Sequence, residues 1–206
     1  MNDLQEQLRA LRERVARVNA RFEEKHANPR ENASEPRKHG LSGEEVVTAA
    51  GKHWELETFY ASHRRHGNAD VGALSDLPHD VLDAISEGAA PCSPPTEWAF
   101  LDTETTGLAG GTGTCAFLVG VGRITPDGFR VRQFFMRDYD EEASLLSALA
   151  DHLAPFRVLI TYNGRTFDQP LLETRYRLNR TRPPFAKLEH HVDLLYGSRR
   201  LWKLRL

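Results

Sequence analysis

Two carboxylates separated by one residue close an apolar run in Trp98-Ala-Phe-Leu-Asp102-Thr-Glu104-Thr-Thr-Gly107. Side chains alternate along a strand, so Phe100, Asp102 and Glu104 would share one face. Like charges this close, leaving an apolar strand at its C-terminal end, are costly unless a cation neutralises them. A divalent ion with oxygen ligands, Mg²⁺ or Mn²⁺, answers that cost. The plainer account is a polar strand end that faces water, and D-x-E alone is common by chance. A second constellation is Tyr162-Asn163-Gly164-Arg165-Thr166-Phe167-Asp168. An Asn-Gly turn closes a strand there and Asp168 opens a helix, where it has the plain alternative of being an N-cap. If the strands before Asp102 and before Tyr162 are neighbours, Asp102, Glu104 and Asp168 converge at the strands' carboxyl ends, where open α/β sheets place their sites.

The glycine-rich string after Glu104 has look-alikes to exclude. Gly107-Leu-Ala-Gly110-Gly111-Thr-Gly113-Thr contains no G-x-x-x-x-G-K-[ST], so it is not a P-loop. Gly111-x-Gly113-x-x-Ala116 matches a loose dinucleotide-binding string, but that fingerprint needs a following helix and the residues 117–124 read as a strand. The glycines instead predict a loop whose backbone comes close to a substrate or metal.

The elements that must position these residues are legible in part. Trp98–Thr103, Cys115–Ile124 and Phe129–Arg137 read as three strands, and Thr125-Pro-Asp-Gly128 as the turn of a hairpin. Glu141–Leu153 carries a helical stripe of Ala143, Leu145, Leu146, Leu149 and Leu153. Arg157–Tyr162 reads as a fourth strand, Asp168–Asn179 as a helix and Leu188–Leu195 as a fifth strand. Three consecutive strands predict an antiparallel meander, and the helix then returns strand four parallel to a neighbour. Docking strand four beside strand one gives the order 3-2-1-4-5.

Upstream, Leu4, Leu8, Leu11, Val15, Val18 and Phe22 form a helical seam. The boundaries expected are an amphipathic helix over 1–25, a disordered linker over 26–44, a lead-in over 45–95 and the main domain over 96–206. Within the lead-in, His53–Tyr60 reads as a strand and Val81–Glu87 as a short helix. No apolar run is long enough to cross a bilayer or to serve as a signal peptide. Cys92 and Cys115 lack metal-type spacing, which predicts reduced thiols and a cytoplasmic protein. Residues 157–206 carry a net charge of +7 and residues 1–156 a net of −9, so the basic block either faces phosphates beside an acidic pocket or is a solvated helix face.

Asp102-Thr-Glu104 resembles the first motif of the DEDD (DnaQ-like) 3′-5′ exonuclease superfamily, and Asn163-x-x-x-Phe167-Asp168 resembles its second. The strings LDTETTGLAGGTGTCAFLVGVG, YNGRTFDQPLLETR and DLLYGSRRLWKLRL are similar to its YprB-type ribonuclease H-like branch. The resemblance covers roughly residues 97–206. It implies an α/β, ribonuclease H-like mixed sheet of order 3-2-1-4-5 flanked by helices. It also implies a two-metal nuclease, with two Mg²⁺ or Mn²⁺ ions held by Asp102, Glu104 and Asp168 as the catalytic carboxylates. The superfamily's third motif, with a fourth carboxylate and a nearby His or Tyr, has no match here, and the expectation is a C-terminally truncated domain or an incomplete site. His190-His191-Val192-Asp193 is the tempting substitute, but Asp193 reads better as a structural residue. His63 and His66 have no carboxylate companion and read as part of a solvated basic loop.

The expected nucleic-acid contacts are Thr105, Gly107, Asn163, Arg165, Phe167 and Arg175, with Arg177, Arg199, Arg200 and Lys203 as further phosphate candidates. Tyr162, Phe167 and Trp202 can stack on bases, although core packing is the plainer account of each. The expected activity is phosphodiester hydrolysis in DNA or RNA, probed by Asp102→Ala and by chelation. The alternative is an inactive ribonuclease H-like module that binds nucleic acid. A third reading is a scaffold whose seam over residues 3–24 self-associates or binds a protein partner.

Overall fold

The computed structural model describes residues 43–66, 69–75, 86, 93–107 and 113–201. The helix expected over residues 1–25, nearly all of the linker over 26–44 and most of the helix over 81–87 lie outside the described residues. Cys92, Trp202, Lys203 and the side chain of Arg200 do so too.

The run from Trp98 to Thr105 has aromatic Trp98 and Phe100 on one face, β-branched Thr103 and Thr105 on the other and no helix-period stripe, and it forms the central strand β5. Chain order before it gives β1 (Glu44–Thr48), β2 (Gly51–Ala61) and the two-residue strands β3 (Arg65–His66) and β4 (Ala69–Asp70). After it come β6 (Ala116–Thr125), β7 (Gly128–Phe135), β8 (Val158–Thr161) and β9 (His190–Asp193). Among the described residues, three helices complete the main elements: α1 (Glu142–Leu153), α2 (Asp168–Leu178) and α3 (Leu194–Leu201).

Seven strands form one mixed sheet in the order β1-β2-β7-β6-β5-β8-β9. Its last five members reproduce the expected 3-2-1-4-5 arrangement. The expected order differs only by extension, because β1 and β2 add a hairpin to the β7 edge. Residues 53–60, expected as a strand, are the body of β2. The β6–β7 turn falls where Thr125-Pro-Asp-Gly128 predicts it. Gly128 is required there: its φ is +151°, and a Cβ would come within 2.1 Å of the Tyr60 carbonyl oxygen on β2. Parallel pairing begins at β8, which aligns Trp98 with Val158 and Phe100 with Ile160.

Alternation along β5 sends Ala99 and Leu101 to one face and Trp98 and Phe100 to the other. The first face packs against α1 and α2 through Val119, Val121, Phe134, Leu145, Leu149 and Leu172. The Tyr176 hydroxyl donates to the Leu146 carbonyl at 2.8 Å and ties the two helices together. Burial of each such leucine stabilises by about 1.5–3 kcal/mol. The opposite face has a smaller cluster of Trp98, Val158, Ile160 and Val192, with Phe100 and Leu194 against it.

A buried polar joint fixes the β1–β2 hairpin to α1. The ring nitrogens of fully buried His53 bond Ser144 Oγ and Glu55 Oε1, both at 2.9 Å, and Thr48 Oγ1 also meets Ser144 Oγ at 2.9 Å. Each buried polar atom in this joint therefore has a partner, which is what makes its burial tolerable.

Candidate active site at the carboxyl ends of β5 and β8

Parallel pairing of β5 with β8 brings two separate sequence segments to one rim. A cleft of about 450 Å³ opens there, and Asp102, Thr103, Thr105, Gly107, Asn163 and Asp168 are among the residues that line it. Asp102 is exposed on the face that also carries Phe100, whereas Thr103 points to the helix side of the strand. Asp168 is the first residue of α2, and only 7% of it is exposed. Its Oδ1 accepts the Thr103 hydroxyl at 2.5 Å. The two aspartates thus reach the cleft from opposite sides of the β5 end.

Asp168 is a first-turn residue of α2 whose carboxylate is bonded across to β5, so it is more than an N-cap. Burial pushes its carboxyl above the usual range, the Thr103 hydrogen bond opposes that rise, and the charge of Asp102 adds to it. A buried carboxylate facing a second one is a poor resting arrangement without a cation, and the donor set is hard oxygen, suited to Mg²⁺ or Mn²⁺. Glu104 is exposed on the same strand face as Asp102, beside a register shift at Glu104–Thr105, and does not line the cleft. The expected convergence of three carboxylates is therefore met by two. Among the described residues, no three His, Cys, Asp or Glu side chains group closely enough to hold a metal ion.

The second segment is held by a residue that sequence reading placed outside the catalytic set. Asp193, almost fully buried, accepts backbone N–H groups from Asn163 at 2.7 Å, Arg165 at 3.0 Å and Leu195 at 3.1 Å. It pins the turn after β8 and caps α3 at once. Asn163 sits at φ +66°, a left-handed conformation that Asn tolerates better than most residues. Gly164 packs so closely that a Cβ would lie 2.5 Å from Thr161 Cβ. Beside this turn, His191 bonds Thr161 Oγ1 at 2.8 Å and Gln169 Oε1 at 2.7 Å, and burial pushes its imidazole down to about 4. It is a neutral strut at physiological pH. His63 and His66 are exposed as expected, but His66 belongs to the short strand β3 and not to a loop.

Of the expected nucleic-acid contacts, Thr105, Gly107, Asn163 and Phe167 line the cleft. Arg165 does not; its guanidinium donates to the His191 carbonyl and its backbone to Asp193. Arg175 needs correction. Its partly buried guanidinium makes a two-point pair with Glu142, at 2.6 and 2.7 Å, so it ties α2 to α1 and is engaged there rather than with a phosphate. Arg157 is paired with Glu97 and Glu189, and Arg177 with Glu173. Three of the eleven Lys/Arg of the basic block over 157–206 are thus neutralised by carboxylates, which the charge count could not show. The core reading of Tyr162 and Phe167 is also corrected: they are 59% and 56% exposed and line the cleft. Thr103 was missed altogether, although its place between the two acidic residues puts it on the helix side.

With that geometry in place, comparison with known proteins fixes the class. The family profile of the RNase_H superfamily matches residues 99–206, and the chain belongs to that family. The chain is 41% identical over 107 residues to the uncharacterized protein YprB of Bacillus subtilis (strain 168). That match takes in 52% of this chain and spans 26% of the relative's length. The expectation of a YprB-type ribonuclease H-like domain is borne out. Among the described residues no helix is long and apolar enough to cross a membrane.

Proposed function

We propose that this chain carries the carboxylate half of a divalent-metal-dependent, DEDD-type nuclease that removes nucleotides from the 3′ end of DNA or RNA. One observation supports this above the rest: β5–β8 pairing puts Asp102 and buried Asp168 into one cleft on a fold whose superfamily suggests nucleic-acid processing.

Two divalent ions, when bound, would supply a nucleophile at neutral pH and stabilise the leaving oxygen. Asp102 and Asp168 would hold them, with Glu104 joining from the strand face it shares with Asp102. Thr103 keeps the Asp168 carboxylate aimed into the cleft through its hydroxyl. Asp193 keeps the Asn163 turn in place, so that Asn163 and Phe167 present one amide and one exposed ring to the terminal nucleotide. Tyr162 offers a second exposed ring for stacking.

The test is 3′-nucleotide release from labelled DNA and RNA single strands by the full-length protein with Mg²⁺ or Mn²⁺. Asp102→Asn should lower the rate by more than about 100-fold, since even groups that only orient a ligand cost roughly 10–100-fold. Asp102 is exposed, so this variant should keep its melting temperature. Equal activity in EDTA, or in Asp102→Asn, overturns the metal-dependent reading. The second reading, a binding module, is favoured by the lack of a three-donor group among the described residues. It predicts tight oligonucleotide binding with no metal-dependent release.

A further inference from the structure

The cleft does not end at the carboxylates. A second depression of about 620 Å³ shares Asp102 and Tyr162 with it and runs over the face of the sheet opposite α1 and α2. A third, of about 550 Å³, shares Phe129 and Val131 with the second and ends at Tyr60, Arg64, Arg65 and His66. Adjoining through these shared residues, the three depressions line up as a trough from β5 to the short β3–β4 hairpin. It crosses three strand spacings, about 14 Å at the usual 4.7–4.9 Å per spacing.

Its floor is built low. Gly120 and Gly122 stand opposite Asp102 and Phe100 in the β5–β6 register, on the same face. A Cβ at Gly122 would come 2.4 Å from the Phe129 ring, so that ring occupies the space a side chain would take. Phe100 and Phe129 meet edge to face with centroids 5.5 Å apart, leaving partly exposed aromatic surface along the trough.

Its far end is basic. Arg64, Arg65 and His66 are all exposed. Arg64 lies over the Tyr60 ring, 4.8 Å from its centroid, and Arg65 is 3.8 Å from Asp70. The other arginines of neighbouring strands lie on the opposite face: Arg123 stands level with Arg130, and Arg130 and Arg132 pair with Glu55 and Glu57. An apolar, aromatic channel that ends on two arginines matches a polyanion with flat, stackable rings.

We propose that this trough is the track for a single-stranded polynucleotide, with its 3′ end at Asp102 and Asp168 and its upstream phosphates on Arg64 and Arg65. The proposal rests on the nuclease reading for its direction, and it assigns a role to a hairpin outside the segment matched by the RNase_H superfamily. Bases lie over Phe100 and Phe129, and the two cations contact backbone phosphates upstream, about 14 Å across the strands and about 17 Å along them, because Ala61 is level with Gly128 and Thr125, five residues beyond the Gly120 that faces Asp102.

The experiment measures binding of fluorescein-labelled oligothymidylate and oligouridylate to the full-length protein in EDTA, by anisotropy, across salt concentrations. Wild type should bind a strand of about 10 nucleotides, inside the usual range for stacking grooves. Arg64→Glu/Arg65→Glu should weaken that binding roughly tenfold near 0.15 M salt and lower the salt slope by about 0.7–1.4, from one or two lost phosphate contacts at ~0.7 each. The loss should shrink with strand length and vanish for a dinucleotide, which is too short to reach the hairpin. Arg64→Gln and Arg65→Gln, assayed singly, carry the test if charge reversal disturbs the hairpin.

Unchanged affinity and salt slope in these variants overturn the proposal, even if 3′-nucleotide release is confirmed. Equal displacement by polyglutamate also overturns it, because that marks a general polyanion surface. A length-dependent loss of binding in a protein without metal-dependent release supports the track and refutes only the nuclease reading.

Discussion

At the residue scale, the site depends on a hydroxyl between two acids. Thr103 is the only residue of the Asp102-Thr-Glu104 triplet that turns toward α2, and it gives Asp168 its cross-strand partner. Burial still holds the Asp168 carboxyl above its ordinary value. An acid with a raised folded pKa favours folding below the unfolded value and loses that advantage as pH rises through the folded one. In EDTA, Asp168→Asn should therefore raise the melting temperature at pH 7, because its amide oxygen can still accept from Thr103 without a charge. The gain should fade on acidification to about pH 3.5, below the usual carboxylate value. Under the proposed function the same variant loses more than about 100-fold in rate. Thermal melts at both pH values decide this; a lower melting temperature at pH 7 would show that the ionised carboxylate stabilises the fold.

At the element scale, the turn after β8 and the start of α3 are one mechanical unit. Asp193 joins them by accepting three backbone N–H groups with two oxygens. Asp193→Asn leaves one oxygen for those donors and should cost about 1–3 kcal/mol, the usual range for a buried donor left unmatched. Asp193→Ala should cost more, and urea melts of the two variants give the comparison. A cost near zero for Asn would mean that water replaces the lost acceptor. Glu142 and Arg175 form the matching joint between α1 and α2. In the sequence, Arg175 looked like a phosphate contact because it sits near the second motif with no visible partner. Glu142 is 33 residues away, and only folding of both helices onto the same sheet face makes it the partner.

At the scale of the whole molecule, burial of neutral histidines sets the acid limit. His152 packs between Phe134 and Phe156, and burial, aided by Arg132 and Arg123, pushes it down to about 4. His191 is pushed to a similar value, also chiefly by burial. A base with a lowered folded pKa keeps its contribution above the unfolded value and loses it as the unfolded chain takes up protons. Stability should hold above pH 6.5 and decline between pH 6.5 and 4. His152→Phe should flatten part of that decline, whereas an identical pH profile in urea melts would rule out His152 as a contributor.

The sequence by itself determined the local features. Alternation and apolar content marked β5 to β9, the Thr125–Gly128 turn set a hairpin, and the Leu145, Leu149 and Leu153 stripe set α1. These depend on periodicity and turn chemistry, which neighbouring residues carry. Asp102 and Asp168 were legible because each ends an element in a recognisable string. Tertiary structure alone decided what those residues meet. The addition of β1 and β2 to the sheet, the turning of Thr103 toward Asp168, the pairing of Arg175 with Glu142 and the exposure of Tyr162 and Phe167 all involve partners distant in sequence. So does the trough, whose glycines lie on β6 and whose arginines lie beyond β2. Burial and charge neutralisation are properties of the packed chain, and the order of residues along it does not encode them locally.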